Sequence, residues 1–215
     1  MTTKRLVRIS YFTLLTVVGG LVKIPAGPVS FTLQTLFVIL AGFVLGARDG
    51  MFSQVAYMLI GLIGLPVFTG GGGFGYVFQP SFGYIVGFCF GAFASGMMMS
   101  RFRTVNTWKV WVAGIIGLLP VYIIGMSYQV MILVCVNGLA FAPALATLVS
   151  ILIYWAIDIV TIFIIALIYP RLTSMMKAES GGGAAPPVDG PSGAVGDVKS
   201  NTAEVNCGDK PDREH

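Results

Sequence analysis

A chain of 215 residues that is 56% hydrophobic and only 10% charged lies far from soluble domains, in which about a quarter of residues carry charge. Apolar runs of about 18 or more residues recur, each able to cross a bilayer core of about 30 Å as a helix, and the alternation of a transmembrane barrel is missing. The net charge of +4 carries no nucleic-acid signal, because ten Lys/Arg meet two acids through Lys177 and three bases meet seven acids beyond it, as expected of basic loops beside membrane spans followed by an acidic tail.

Residues 1–5 are polar, and Arg8 is the last charge before an apolar run that reaches Val22. A secretory signal peptide also starts this way, but no A-x-A-like cleavage site follows and further spans do; the run reads as the first transmembrane helix. Lys23-Ile24-Pro25-Ala26-Gly27-Pro28 ends it, since two prolines and a glycine cannot continue a helix. Residues 31–47 form the second span, with Thr32, Gln34 and Thr35 near its start, and Arg48-Asp49-Gly50 is a short turn. In the third span, residues 51–68, Gln54 and Tyr57 share one helix face. The fourth, residues 82–100, carries Gly83, Gly87, Gly91, Ala92, Ser95 and Gly96, a spacing that allows close helix–helix approach. A basic connection, 101–109, leads to a fifth span from 110 to about 134, with a kink expected at Pro120. Asn137-Gly138 and Pro143 interrupt the next stretch. The run 144–169 is long for one perpendicular span, and a short lead-in helix before about Ile151 would absorb the excess.

The expectation is therefore an all-α integral membrane protein with six transmembrane helices in residues 1–177. Residues 178–215, rich in Gly, Pro, Ser and acids, form a disordered cytoplasmic tail. With the N-terminus inside, the inner face receives Lys4, Arg5, Arg8, Arg48, Arg101, Arg103, Lys109, Arg171 and Lys177, and the outer face only Lys23. That positive-inside asymmetry puts both termini in the cytoplasm and the irregular Gly/Pro-rich connections outside, in a multi-pass protein of a prokaryotic plasma membrane.

Three features point to a binding site. In LPVFTGGGGFGYVFQPSFGY, residues 65–84, Gly70, Gly71, Gly72 and Gly73 precede Phe74 and Tyr76, and Tyr84 closes the stretch. Glycine backbone can approach a ligand closely while aromatics supply flat apolar surface; a plain linker would lack the aromatics. Asp158 is the only acid inside a span. An ionisable group there costs about 2.5–3.5 kcal/mol on insertion scales, so it faces a cavity, partner or ligand. Tyr154 and Thr161 share its helix face, and its carboxylate could accept paired ligand N–H donors or bond to a neighbouring helix. Gln34 and Thr35 are further polar groups within spans, open to a ligand or to interhelical bonding. Lys23 either snorkels to the interface or meets an anionic group on an entering solute.

Other chemistries find little support. Gly70, Gly72 and Gly75 match GxGxxG, but no strand precedes them and no acid follows about 20 residues on. No GxxxxGK[ST] motif occurs, so the chain cannot drive transport with its own P-loop. Cys89, Cys135 and Cys207 lack paired spacing, and the single histidine, His215, is the last residue; neither metal nor cofactor is implied. One aspartate and a few amides suit recognition better than catalysis.

IPAGPVSFTLQTLFVILAGFVLGARDG, then GLIGLPVFTGGGGFGYVFQPSFGYIVGF, then AID in the last span, resemble the BioY family, the biotin-specific substrate-binding (S) components of energy-coupling-factor (ECF) transporters. The resemblance covers roughly residues 8–172. It implies a six-helix S-component bundle that captures biotin from outside, beneath the loop between the third and fourth helices. It also implies work with a transmembrane T component and two cytoplasmic ATPases, whose energy topples the S component. The family's aspartate that contacts the ureido ring corresponds to Asp158, its glycine-rich loop to Gly70–Gly75, and its Phe-Thr-Leu-Gln segment to Phe31–Gln34. Where the family carries a lysine three residues after the aspartate, this chain has Thr161, and where it has Gly-Pro-Thr this chain has Gln79-Pro80-Ser81. Thr16 and Gly20 are the nearest equivalent of the small-xxx-small stripe that docks the T component. With Thr161 in place, the biotin carboxylate is left to Lys23 or to loop N–H groups acting as an anion nest.

Other readings are an S component for another vitamin or a biotin precursor, a membrane-embedded enzyme using Asp158, and a structural partner in a membrane complex.

Overall fold

A computed structural model describes residues 3–25, 30–102, 104 and 106–181. The elements are α1 (Thr3–Leu21), β1 (Lys23–Pro25), β2 (Ser30–Thr32), α2 (Gln34–Leu45), α3 (Ala47–Leu62), a 3₁₀ turn (Phe74–Phe78), α4 (Phe82–Ser100), α5 (Thr107–Cys135), α6 (Phe141–Ala146) and α7 (Leu148–Gly181). The fold is helical apart from a two-stranded antiparallel ribbon that sets Lys23 opposite Thr32. α6 stands where a lead-in helix was expected, and α5 runs unbroken past Pro120. α7 continues three residues beyond Ala178; the rest of the tail lies outside the described residues.

The first part of the chain departs from the sequence reading. Phe31 and Thr32 belong to the ribbon, so α2 starts at Gln34 and has 12 residues, while α3 has 16. The break between them falls at Gly46 rather than at Arg48-Asp49-Gly50. Gly46 takes φ +83° and donates its N–H to the Gly42 carbonyl, a positive-φ helix end that favours glycine. Arg48, Asp49 and Gly50 then build the first turn of α3, where a carboxylate meets the positive end of the helix dipole. Arg5 Nε donates to both Asp49 carboxylate oxygens at 2.9 and 2.8 Å, tying α1 to α3. Among the described residues two helices, α4 and α5, are long and apolar enough to cross a membrane by themselves.

The distribution of side chains is the reverse of a soluble protein's. Thr16, Ser53, Gln54, Ser95, Gln129 and Asp158 are buried, whereas Leu14 and Val18 of α1 and Val160, Phe163, Ile164, Leu167 and Ile168 of α7 are exposed. A chain solvated by lipid needs that arrangement, because hydrocarbon leaves polar groups no partners except inside the protein. Thr16 and Gly20 face inward: Gln54 Nε2 donates to Thr16 Oγ1 at 3.3 Å, and a Cβ on Gly20 would lie 2.8 Å from Gln34 Nε2. They are therefore not available as an outward stripe on α1.

α4 lies at the centre, against α2, α3 and α5. Its glycines serve the close approach their spacing suggested: a Cβ on Gly87 would lie 2.8 Å from Val121 Cα, and one on Gly91 2.9 Å from the Gly117 carbonyl. Two apolar clusters stack along the bundle. One contains Ile39, Phe43, Met99, Val110, Ile162 and Tyr169; the other contains Tyr57, Phe68, Tyr76, Tyr84, Phe88 and Tyr154. The second lies at the end that carries the ribbon and the glycine loop, and there it surrounds a cavity.

Candidate functional site

The cavity, of about 600 Å³ when the open space at its mouth is counted, is lined by residues of the ribbon, the loop and five helices, α2, α3, α4, α5 and α7. Five of the chain's eight tyrosines line it: Tyr57, Tyr76, Tyr84, Tyr122 and Tyr154. Ile85, Phe88 and Val121 supply apolar wall. The result is an aromatic box with hydroxyls at its edges, closed on one side by the carboxylate of Asp158.

Asp158 is 4% exposed. The Tyr122 hydroxyl donates to Asp158 Oδ2 at 2.6 Å, and Thr35, from α2, lines the same cavity. The one ion pair among the described residues is Arg5–Asp49, so Asp158 is held by the Tyr122 hydroxyl rather than by a described cation. A carboxylate supported this way keeps lone pairs for further donors.

A second chain of hydrogen bonds crosses from the ribbon to the loop. Thr32 Oγ1 donates to Gln34 Oε1 at 3.1 Å, Gln34 Nε2 donates to the Tyr57 hydroxyl, and Tyr57 donates to the Val67 carbonyl at 3.2 Å. A third leaves the cavity on the far side, from the Tyr84 hydroxyl to Gln129 Oε1 at 3.0 Å and from Gln129 Nε2 to Thr147 Oγ1 at 2.9 Å.

The loop between α3 and α4 is pinned as a roof. Phe68 is buried against Tyr57 and Tyr76 at centroid distances of 5.5 and 4.6 Å. The Tyr76 hydroxyl shares hydrogen bonds with Thr69 Oγ1 at 3.0 Å and Ser81 Oγ at 2.8 Å, and Tyr128 donates to the Val77 carbonyl at 2.5 Å. Gly71 and Gly73 take φ values of +116° and +101°, and a Cβ on Gly72 would stand 2.1 Å from the Leu65 carbonyl oxygen. The glycines serve the path of the loop itself.

Of the residues singled out in the sequence, Asp158, Gln34, Thr35, Tyr76 and Tyr84 are brought together around the cavity. Gly70, Gly71, Gly72 and Gly73 are not among its lining residues, nor is Phe74, which is 76% exposed. Lys23 stands at the rim, where Nζ donates to the Thr69 carbonyl at 2.9 Å. Thr161 Oγ1 turns back to the Ile157 carbonyl of its own helix at 2.9 Å. Sequence reasoning missed Tyr122, Ile85, Phe88 and Val121, which sit in uniformly apolar spans. The one available signal was Tyr122, a phenol in the middle of a span, whose hydroxyl needs a partner there.

The sequence model of the BioY family matches residues 1–178. A relative named probable biotin transporter BioY from Lysinibacillus sphaericus is 49% identical over 126 residues, covering 59% of this chain and 64% of that protein, so the chain spans just under two thirds of its length. The biotin transporter BioY of Thermotoga maritima is 39% identical over 124 residues, or 57% of this chain and 72% of the relative. The fold is similar to the crystal structure of the S-component for biotin from an ECF-type ABC transporter, with a TM-score of 0.68 at 27% identity over 81% of this chain and 95% of that one.

Proposed function

The chain belongs to the BioY family, and from that premise we propose that it captures biotin for uptake as the S component of an ECF-type transporter. It acts as a membrane transport component and not as an enzyme. The observation that carries the reading is the cavity itself: a buried carboxylate braced by Tyr122 at one wall of an aromatic box. Biotin presents a ureido ring with two N–H donors, a thioether ring and an apolar valerate arm. Asp158 accepts from the ureido N–H groups, the tyrosines and Phe88 enclose the rings, and the pinned loop covers them. Gln34, Thr35, Tyr76 and Tyr84 complete the wall around the ligand, while Gly70, Gly71, Gly72, Gly73 and Phe74 shape the roof from outside it.

In this proposal six helices, α1 to α5 and α7, span the plasma membrane, and residues 1–177 form the binding domain with both termini in the cytoplasm. Nine of its ten basic residues then face inward and the cavity mouth faces outward. A T component and two cytoplasmic ATPases supply the energy, since the chain holds no P-loop of its own. The tail from 178 is a cytoplasmic appendage.

Purified protein is expected to gain thermal stability with biotin, because a ligand at about 100 times its Kd contributes about 2.7 kcal/mol to the folded state. Thermal shift across a panel of vitamins and dethiobiotin checks this. A shift with another vitamin and none with biotin would replace biotin as the substrate. Tyr122→Phe removes the hydroxyl that braces Asp158 and is expected to weaken biotin binding about threefold to tenfold, the range of one hydrogen bond. Titration calorimetry measures it, and equal affinity would remove Tyr122 from the site.

A further inference from the structure

We propose that Lys23 holds the carboxylate of the bound ligand at the cavity mouth and so sets the preference for an acid over its neutral derivatives; this rests on the biotin reading above. Lys23 is paired with Thr32 across the ribbon. Residues directly opposite in an antiparallel pair project to the same face, and Thr32 is buried in the cavity wall. Lys23 Nζ then reaches across the opening to the Thr69 carbonyl at 2.9 Å, and Thr69 also lines the cavity. Lys23 is thus tied to two lining residues from two different segments, to Thr32 through the ribbon backbone and to Thr69 through its ammonium.

Two of the loop N–H groups and the Thr161 hydroxyl are already engaged. The N–H of Gly71 donates to the Phe68 carbonyl at 3.1 Å and that of Gly73 to the Gly61 carbonyl at 2.8 Å, so neither is offered to an anion. Thr161 bonds its own helix. Asp158 repels a second carboxylate, which orients an acidic ligand with its charged arm away from Asp158 and toward the rim. Exchanging the neutral Thr69 carbonyl for a carboxylate gives the Lys23 ammonium an ion pair in place of a hydrogen bond to an uncharged acceptor.

The test compares the Kd of biotin with that of biotinamide, its uncharged carboxamide, in wild type, K23R, K23Q and K23E. Wild type and K23R are expected to prefer the acid about threefold to tenfold, the size of an ion pair partly open to water, and the preference should shrink as salt is raised. K23Q should bring the two ligands to near equality, and K23E should reverse the order. Equal affinities in wild type, or the same ratio in wild type, K23Q and K23E, overturn the assignment while leaving biotin as the substrate. Failure of wild type to bind either ligand overturns the biotin reading and the role of Lys23 with it.

Discussion

Asp158→Ala is expected to weaken biotin binding by at least about tenfold without destabilising the empty protein. Hydrogen bonds to charged groups contribute about 1.5–3 kcal/mol each, and every 1.4 kcal/mol is about tenfold in Kd. Losing the shared acceptor of two ureido N–H groups therefore reaches tenfold even if part of the loss is recovered by water. Tyr122 loses the acceptor it now donates to, so the site loses an oriented hydroxyl as well as its charge. The opposite sign holds for the protein without ligand. A carboxylate in a span, with no described cation beside it, costs about 2.5–3.5 kcal/mol on insertion scales, and removing it relieves that cost. A structural aspartate would give the reverse pattern, a lower thermal midpoint with or without ligand. Measuring both the midpoint of the empty variant and its Kd separates the two roles. Unchanged affinity, or a fall in affinity matched by a fall in the empty protein's midpoint, would remove Asp158 as the ureido acceptor.

What could be read from the sequence follows from where the signal lies. Asp158 stood out because a single acid in 20 or so apolar residues is costly and so needs a reason. Gln54 and Tyr57 share a face by their spacing and are both fully buried. α4 was readable from end to end, because its small residues recur at helical spacing. The apolar half of the cavity was not. In α5 almost every residue is apolar, so nothing distinguishes Val121, which lines the cavity, from Ile123, which is 63% exposed; lipid and protein core make the same demand on a side chain. The ribbon was hidden for a related reason: a proline-rich break reads as an end of helix, and three-residue strands carry too short an alternation to register. The glycine loop carries two signals at once. Four glycines in a row suggest backbone laid against a ligand, and positive φ at Gly71 and Gly73 and the contact of Gly72 with Leu65 add a demand of the turn itself.

Gly42→Ala is expected to be among the most destabilising single-methyl additions in the bundle, lowering stability by about 1–3 kcal/mol or more. A Cβ at Gly42 would lie 2.1 Å from Ser95 Oγ, 2.5 Å from the Ala92 carbonyl oxygen and 3.0 Å from the Gly96 nitrogen. Ser95 can rotate, although it would lose its bond to the Ala92 carbonyl; the two α4 backbone atoms cannot move without separating α2 from α4. The facing residue, Gly96, has the reciprocal constraint, with a Cβ 2.7 Å from the Gly42 carbonyl and 2.5 Å from the Ala47 nitrogen. Neither clash has an alternative rotamer. α2 also carries Gln34 and Thr35 to the cavity wall, so forcing the helices apart moves two polar groups of the site away from α4 and α7. Loss of binding should therefore accompany loss of stability, unlike in Asp158→Ala. Gly75→Ala provides the comparison, since a Cβ there meets nothing within 4 Å and the midpoint should stay within the error of the measurement. Thermal unfolding of the detergent-purified variants, with biotin titration alongside, reads both. A Gly42→Ala protein as stable as Gly75→Ala would mean that α2 and α4 are not packed backbone to backbone, and the cavity built between them would have to be redrawn.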